Sequence, residues 1–210
     1  MPVLLHPSYA PNITQFAILA QREVYWEVQD NFQKQTFRNR TYICTDQGRH
    51  MMNIPIRHAG GEQGRQLYKA VKTDTDTPWQ RTHWRTLETA YRTSPFFEYY
   101  EDELAPLFLE DTATDLLEFN LQLTERLCDC LQLPFPKNRT ENYKTELDGI
   151  IDARWTVNAK DKRSYSLPHY VQVFGDRHGF IENLSVLDLL FNEGTNALSY
   201  LENTDLSFLE

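Results

Sequence analysis

The sequence is poor in cysteine, and this shortage restricts the chemistry that it can carry. Its 210 residues contain three cysteines, an odd number that suits a reducing compartment better than a disulfide framework. Cys128 and Cys130 match neither the C-x-x-C redox spacing nor the usual zinc-ligand spacing, so buried structural thiols are the favoured interpretation. The six histidines form no H-x₃-H pair and no H-E-x-x-H motif. The sequence therefore predicts no metal site and no cofactor.

Positive charge and long apolar runs are also scarce. A net charge of −9 and a pI near 5.2 argue against a general nucleic-acid binder and against docking on an anionic membrane surface. No apolar stretch approaches the roughly twenty residues that span a bilayer. The first seven residues lack the basic segment and apolar run of a signal peptide. We therefore expect a cytoplasmic protein without membrane insertion, and its oligomeric state stays open.

The order of predicted elements favours an α/β fold. Strand-like runs are 3–6, 24–28, 41–44, 51–56, 67–73, 155–157 and 170–174. Helical patterns are 13–21, 79–91, 95–108, 114–133 and 186–192. The glycine-rich stretch 60–64 matches no phosphate-loop motif and is interpreted as a surface turn. Together these elements predict one domain over 1–210, a small mixed sheet flanked by helices, with the polar stretch 137–145 as the candidate for a mobile loop.

One short loop after the second predicted strand gathers three fixed cations, Lys34, Arg38 and Arg40. Arginine offers a planar fork of donors that suits carboxylate or phosphate, and lysine offers a compact point charge. In so acidic a chain, this cluster indicates a small anion-binding site. The alternatives are a solvated basic turn, or pairing of an arginine with an internal acid such as Glu27 or Asp30.

Several motifs follow one another along nearly the whole chain, from His6 to Leu201. They are 28–29, 34–40, 53–56, the Trp79-x₃-His83-x₇-Tyr91 pattern that leads into 95–97, 172–174 and 179–194. In this order they resemble the WbqC-like protein family, and 179–194 is the most specific block. The family is associated with bacterial O-antigen and related cell-surface glycan biosynthesis. The region 134–169 is shorter and more polar here than in longer members, which implies a reduced site or a different substrate.

The resemblance strengthens the anion-site interpretation of the basic loop. Lys34, Arg38, Asn39 and Arg40 match the family's block. We expect Asn39 to orient the acceptor and the three cations to hold an anionic group. That group would be the phosphate of a nucleotide-activated sugar or acyl donor, or a carboxylate. The expected partner is therefore a small anionic substrate.

Two further residues are predicted to be catalytic, each against a structural alternative. His83 can act as a general acid or base, or it can be a core histidine on the apolar face of its helix. Asp188 can orient His83 or His169 or pair with Arg38, or it can serve a helix cap near Ser185.

The remaining candidates are polar residues expected to orient substrate. Gln29, Tyr91 and Gln172 are assigned that role, and the two glutamines are expected on strands as buried amides that need partners. His6, at the exit of the first strand, can face a site at the carboxyl ends of strands.

Two functions follow from these residues. The first is a transferase that acts on a nucleotide-activated sugar, or on its acyl or amino donor, in surface-glycan assembly. The second is a non-catalytic ligand-binding or scaffold protein of a glycan-assembly complex. The second predicts an exposed aromatic patch over 96–100 and basic residues that lie apart from His83.

Overall fold

The computed structural model describes residues 1–57, 66–110, 113–161, 163 and 165–209. The strands of this part are β1 (Val3–Leu5), β2 (Val24–Trp26), β3 (Arg40–Thr45), β4 (Gly48–Asn53) and β5 (Ile151–Asp152). The helices are α1 (Ile13–Gln21), α2 (Trp79–Tyr91), α3 (Phe97–Leu109), α4 (Leu116–Cys130), α5 (Gly175–His178), α6 (Val186–Glu193) and α7 (Asn196–Glu202). The turn predicted at 60–64 lies outside the described residues. Strands and helices interleave, so the predicted α/β class is confirmed.

The fold is organised around a three-stranded parallel sheet in the order β2-β1-β5. The central strand β1 pairs with β2 in the register Val3↔Val24 and with β5 in the register Val3↔Ile151. All of β1 is buried, as expected of a parallel strand covered on both faces. A separate antiparallel hairpin joins β3 to β4. Both sheets are small, and together they make the predicted mixed β structure.

Helix α1 connects the first two parallel strands and ties them to the last part of the chain. It begins at Asn12, whose side chain accepts a hydrogen bond from the backbone N–H of Gln15, an ordinary N-cap. At its other end, the Gln21 side chain donates to the carbonyls of Leu201 and Thr204, each at 2.8 Å. Leu201 and Thr204 therefore hold α1, the helix that connects β1 to β2, through these hydrogen bonds.

Three predicted strands are wrong. The segments 67–73 and 155–157 contain the 3₁₀ helices Tyr68–Ala70 and Arg154–Val157, and 170–174 forms no strand. Tyr68, Val157 and Tyr170 are buried in these segments as single anchors, whereas Val171 is exposed. The Tyr68 hydroxyl, for example, donates to the carbonyl of Pro7 at 3.0 Å. Apolar residues at these places therefore do not indicate strand pairing. Strand β5 and helices α5 and α7 were not predicted from the sequence.

The helices cover the sheets with a continuous apolar core. Trp79, Trp84, Leu87 and Tyr91 of α2 are buried, and α3 and α4 pack beside them. Among the helices of the described residues, none is both long enough and apolar enough to cross a membrane.

Candidate functional site

A polar cavity of about 540 Å³ lies where the three parallel strands end. His6 directly follows β1, Asp152 is the last residue of β5, and the loop after β2 completes this side of the cavity lining. We call this space the strand-end cavity. Its lining residues are His6, Asp30, Gln33, Lys34, Gln35, Thr36, Arg38, Tyr143, Asp152, Arg154, Trp155, Val157, Asn158 and Lys160. Open parallel sheets bind ligands at this edge, so its position alone makes it the first candidate.

The floor of the strand-end cavity is a buried cluster of three charged or titratable side chains. Arg38 is fully buried, and its Nη2 donates to Asp30 Oδ2 at 2.9 Å and lies 2.8 Å from His6 Nε2. His6 Nε2 is also 3.2 Å from Asp30 Oδ2. The internal pairing with Asp30 that the sequence analysis held as an alternative is therefore present. The other two guanidinium nitrogens of Arg38, Nε and Nη1, have no hydrogen-bond partner among the described residues.

The backbone around Arg38 is held from two sides. The Phe37 N–H donates to the Val157 carbonyl at 2.8 Å, and the Phe37 carbonyl accepts from the Tyr9 N–H at 2.9 Å. On the inner side, the buried Asn120 of α4 donates to the Arg38 carbonyl at 2.6 Å. The basic loop is thus fastened over the strand ends and is not a solvated turn at Arg38.

A second arginine forms the far wall. Arg154 grips Asp152 with two hydrogen bonds, Nε to Oδ1 at 2.8 Å and Nη2 to Oδ2 at 2.6 Å. Its Nη1 lies 3.5 Å from a carboxylate oxygen of Glu27, which is fully buried behind β2. Arg154 is therefore a neutralised wall residue, and the charge available to a ligand must come from elsewhere.

That charge comes from two exposed lysines of the rim. Lys34 and Lys160 line the cavity and take part in none of the ion pairs found in the described part of the chain. Because the arginines of the floor and wall already face carboxylates, Lys34 and Lys160 give the mouth its excess positive charge. An anionic group entering this mouth would meet two unpaired ammonium groups.

The protonation of the floor follows from its burial. Burial lowers the pKa of His6 from its ordinary 6.5 to about 4, although Asp30 acts in the opposite direction. The imidazole is therefore neutral at neutral pH, and its Nε2 accepts the Arg38 hydrogen bond because arginine can only donate. Burial alone would raise the pKa of Asp30, but the Asn31 N–H and the charge of Arg38 act in the opposite direction, and the pKa lies below its ordinary value. Asp30 is thus the anion that balances Arg38.

His83 lies in an aromatic cluster and not in the lining of the strand-end cavity. Its Nδ1 is 2.8 Å from the Tyr9 hydroxyl, and its ring stacks on Tyr9 and meets Trp79 edge-on. Burial lowers the pKa of His83 to about 4, with the Asn53 backbone acting in the opposite direction. The arrangement is that of a satisfied core histidine, and the catalytic role predicted for it stays a prediction.

The two buried histidines predict how stability depends on pH. Because both folded pKa values lie near 4, below the ordinary 6.5, the folded protein binds fewer protons than the unfolded chain between these values. The free energy of unfolding is then largest above pH 6.5 and falls as the pH drops toward 4, by about 3 kcal/mol per histidine at most. Urea unfolding at pH 7, 6 and 5 measures the slope. His83→Gln, which keeps an acceptor for Tyr9, should reduce the slope.

Asp188, Tyr91 and Gln172 are brought together in a network that lies away from the strand-end cavity. Asp188 is fully buried and accepts hydrogen bonds from the hydroxyls of Tyr91 and Tyr170, each at 2.6 Å, and from the Gln172 amide at 3.2 Å. Burial raises the pKa of Asp188, and these three donors only partly oppose it. Ser185, and not Asp188, caps α6. The network ties α2 and the 170–172 segment to α6.

The other predicted binding residues divide between two places. Gln29 is not on a strand, and its amide bridges the Thr140 carbonyl and the Lys69 ammonium. Asn39 and Arg40 line a second, smaller cavity of about 380 Å³ beside the β3–β4 hairpin. Lys34 and Gln35 line both cavities. Of the residues predicted to bind substrate, Lys34 and Arg38 therefore line the strand-end cavity. Asn39 and Arg40 line the smaller cavity beside it.

Several site residues were not predicted from the sequence. Asp152 and Arg154 belong to a two-residue strand and a 3₁₀ turn whose place beside β1 no local pattern reveals. Asn120 was hidden among the apolar residues of α4. His6, by contrast, was a candidate from the sequence, because it directly follows a short buried strand. In the described part of the chain, no group of three or more histidine, cysteine or acidic side chains could hold a metal ion.

The segment 137–145, predicted as a mobile loop, runs past the open side of β2. The Trp26 N–H donates to the Asn138 carbonyl, and the Trp26 carbonyl accepts from the Thr140 N–H, both at 2.9 Å. The beginning of this segment is therefore hydrogen-bonded to the sheet. Its mobility stays a prediction.

Comparison with known proteins gives one family and one similar curated protein. The model of the WbqC-like protein family matches residues 6–164, which includes the strand-end cavity up to Lys160 and ends before the block 179–194. The uncharacterized protein Rv1507c of Mycobacterium tuberculosis is 29% identical over 94% of this chain and 96% of its own length. No solved structure matches the chain.

Proposed function

The chain belongs to the WbqC-like protein family, and from that premise we propose that its strand-end cavity is the substrate site of a group-transfer enzyme. The substrate is a nucleotide-activated sugar or its acyl or amino donor, handled in the cytoplasm during assembly of a bacterial surface glycan. Lys34 and Lys160 hold the phosphate groups of the donor at the mouth of the cavity.

One observation carries the proposal: the fully buried Arg38, which lines the cavity, has two nitrogens without an acceptor among the described residues, and the two rim lysines form none of the ion pairs found there. Buried polar groups normally find partners, and leaving a charged donor unsatisfied costs more than leaving a neutral one. An oxygen-rich anion supplies such acceptors. The Asp30 pairing fixes Arg38 in place without using its whole donor set.

The chemistry fits charge stabilisation better than covalent catalysis. Among the described lining residues there is no cysteine or serine, and the hydroxyl of Thr36 already donates to the Gln33 carbonyl. In the proposed step an acceptor oxygen or nitrogen forms a bond to the donor group, and the bond from that group to phosphate breaks. The electron pair leaves with the phosphate, where the lysines stabilise it, and the acceptor loses its proton to water. Positioning and charge neutralisation supply catalysis of this kind.

Calorimetric titration with a nucleoside-diphosphate sugar and with inorganic pyrophosphate tests the proposal. A hydrogen bond to a charged group contributes about 1.5–3 kcal/mol, so the double change Lys34→Ala and Lys160→Ala should weaken binding about 100-fold. Lys137→Ala, an exposed lysine outside the cavity, is the matched control. Equal binding by the double variant, or no binding by the folded protein, would contradict the proposed site.

Release of nucleoside diphosphate separates the enzyme from the non-catalytic alternative. It can be followed by ³¹P NMR with hydroxyl-bearing and amine-bearing acceptors present. Binding without release for every acceptor would favour the ligand-binding protein. The aromatic patch expected for that alternative is not formed: Phe97 and Tyr100 are buried, and only Tyr99, 73% exposed, faces solvent fully.

A further inference from the structure

The second cavity, beside the β3–β4 hairpin, contains polar atoms that the fold leaves unsatisfied. Asn39 is 7% exposed, and its Nδ2 donates to Asn53 Oδ1 at 3.1 Å and to the Ile54 carbonyl at 3.0 Å. Because a carbonyl can only accept, the atom that contacts Ile54 must be the amide nitrogen, and Oδ1 is left as the free acceptor. Asn39 Oδ1 has no hydrogen-bond partner in the described part of the chain.

An unpaired donor accompanies this unpaired acceptor. The Nε of Arg40 is buried and lacks an acceptor among the described residues, although its side chain is only partly buried as a whole. Arg40 and Asn39 line the same cavity of about 380 Å³. A ligand that satisfies both must donate to an amide oxygen and accept from a guanidinium N–H.

The remaining walls narrow the chemistry of that ligand. Phe32, Ile54 and Ile56 give the cavity an apolar side, and Asn53 adds a second amide. A hydroxyl group is both donor and acceptor, and a pyranose presents hydroxyls on its edge and C–H groups on its faces. The hydroxyls and C–H faces of a sugar therefore match this lining of amides, guanidinium and apolar side chains, to which Lys34 also belongs.

The two cavities are neighbours that share one boundary. Lys34 and Gln35 line both of them, so the two spaces adjoin at these residues. Gln35 has φ +61°, which is uncommon for a residue other than glycine and keeps the loop in this tight path. Ligands bound in the two cavities would lie beside each other at Lys34 and Gln35.

We propose that the second cavity binds a sugar unit as the acceptor of the transfer, with Asn39 and Arg40 holding its hydroxyls. This inference rests on the proposed function, because it assigns the acceptor to a transfer whose donor lies in the strand-end cavity. The acceptor is thereby assigned as a saccharide, and an amino acid is the competing ligand that the experiment tests.

The experiment compares two kinds of ligand, neutral sugars and pyrophosphate, in one variant of each cavity. Neutral glucose and N-acetylglucosamine are titrated by saturation-transfer NMR, and pyrophosphate by calorimetry. Arg40→Met keeps the apolar stem and removes the donor, so sugar binding should weaken at least tenfold while pyrophosphate binding stays unchanged. Lys160→Ala should do the reverse, because Lys160 lines only the strand-end cavity. Arg57→Met, an exposed arginine that does not line either cavity, is the control.

Each failure has its own pattern. Sugar binding that is absent from the wild type, or unchanged by both Arg40→Met and Asn39→Ala, overturns the acceptor site even when pyrophosphate binds normally. Binding of glycine or alanine in place of sugars, lost in the same variants, overturns the saccharide assignment. If sugars bind as expected and pyrophosphate does not, the sugar site in the second cavity is supported and the proposed donor site is contradicted. Melting curves confirm that each variant is folded.

Discussion

Replacing Gly194 with alanine is expected to lower the free energy of unfolding by about 4 kcal/mol. Gly194 ends α6 with φ +55° and ψ −122°, a sparsely populated conformation that costs an L-residue about 1–3 kcal/mol. A Cβ atom added there would also lie 2.5–2.7 Å from three ring atoms of Phe96. The Phe96 N–H is bonded to the Phe191 carbonyl at 3.0 Å, so the backbone that carries this ring is held against α6. Forced overpacking of this kind adds about 1–3 kcal/mol.

Two other glycines separate the backbone cost of a positive φ from the cost of the steric contact with Phe96. Gly179 has φ +70° and ψ −173° with nothing near its added Cβ, so Gly179→Ala should show the backbone cost alone, about 1–3 kcal/mol. Gly175 has neither a positive φ nor a close neighbour and lies in the short helix α5, so Gly175→Ala should cause no loss. Chemical unfolding of the three variants measures the series. An equal loss of unfolding free energy in the Gly194→Ala and Gly179→Ala variants would mean that the contact with Phe96 is not destabilising.

Replacing Asp188 with alanine is expected to lower the free energy of unfolding by a similar amount, about 4 kcal/mol. The change removes the acceptor for the buried hydroxyls of Tyr91 and Tyr170 and for one contact of the Gln172 amide. Each buried group left without a partner costs about 1–3 kcal/mol. Asp188→Asn keeps the shape and one acceptor oxygen, so its loss should be less than half as large. The exposed Glu202→Ala on α7 is the control.

The same variants test the catalytic role predicted for Asp188 from the sequence. A large stability loss with unchanged ligand affinity in the surviving folded protein assigns Asp188 to the structure. Unchanged stability of Asp188→Asn combined with lost turnover would instead support the catalytic prediction. Melting temperature and product release, measured on one preparation, give both readings.

The helices were the most predictable part of this chain because their signals are local. Asn12 caps α1 and its apolar residues repeat at helical spacing, so the predicted range 13–21 agrees with the observed helix. The range 79–91 agrees equally well for α2. The predicted helix 114–133 is the shorter Leu116–Cys130, because Asp115 and not Thr114 precedes its first turn.

Site residues were predictable only where an unusual residue type lies at a recognisable place in the sequence, such as the loop after a predicted strand. Lys34 and Arg38 stand out as cations in an acidic chain, and both line the strand-end cavity. Asp152 and Arg154 could not be found, because β5 is two residues long and is a strand only through its pairing with β1. His83 shows the converse: a titratable side chain on an apolar helix face can be either a catalyst or a core residue. Its Tyr9 partner is 74 positions away and cannot be seen locally.

The pairing of the central strand orders the events of folding. Val3 pairs with Val24, 21 positions later, and with Ile151, 148 positions later. Closing the longer loop costs about 2 kcal/mol more chain entropy, so β1 and β2 associate first with α1 between them. His6 and the basic loop are then in place while the wall made by Asp152 and Arg154 is still missing. Ligand affinity is therefore acquired at the end of folding, and a nascent chain that has already formed its first βαβ unit still has only half a binding site.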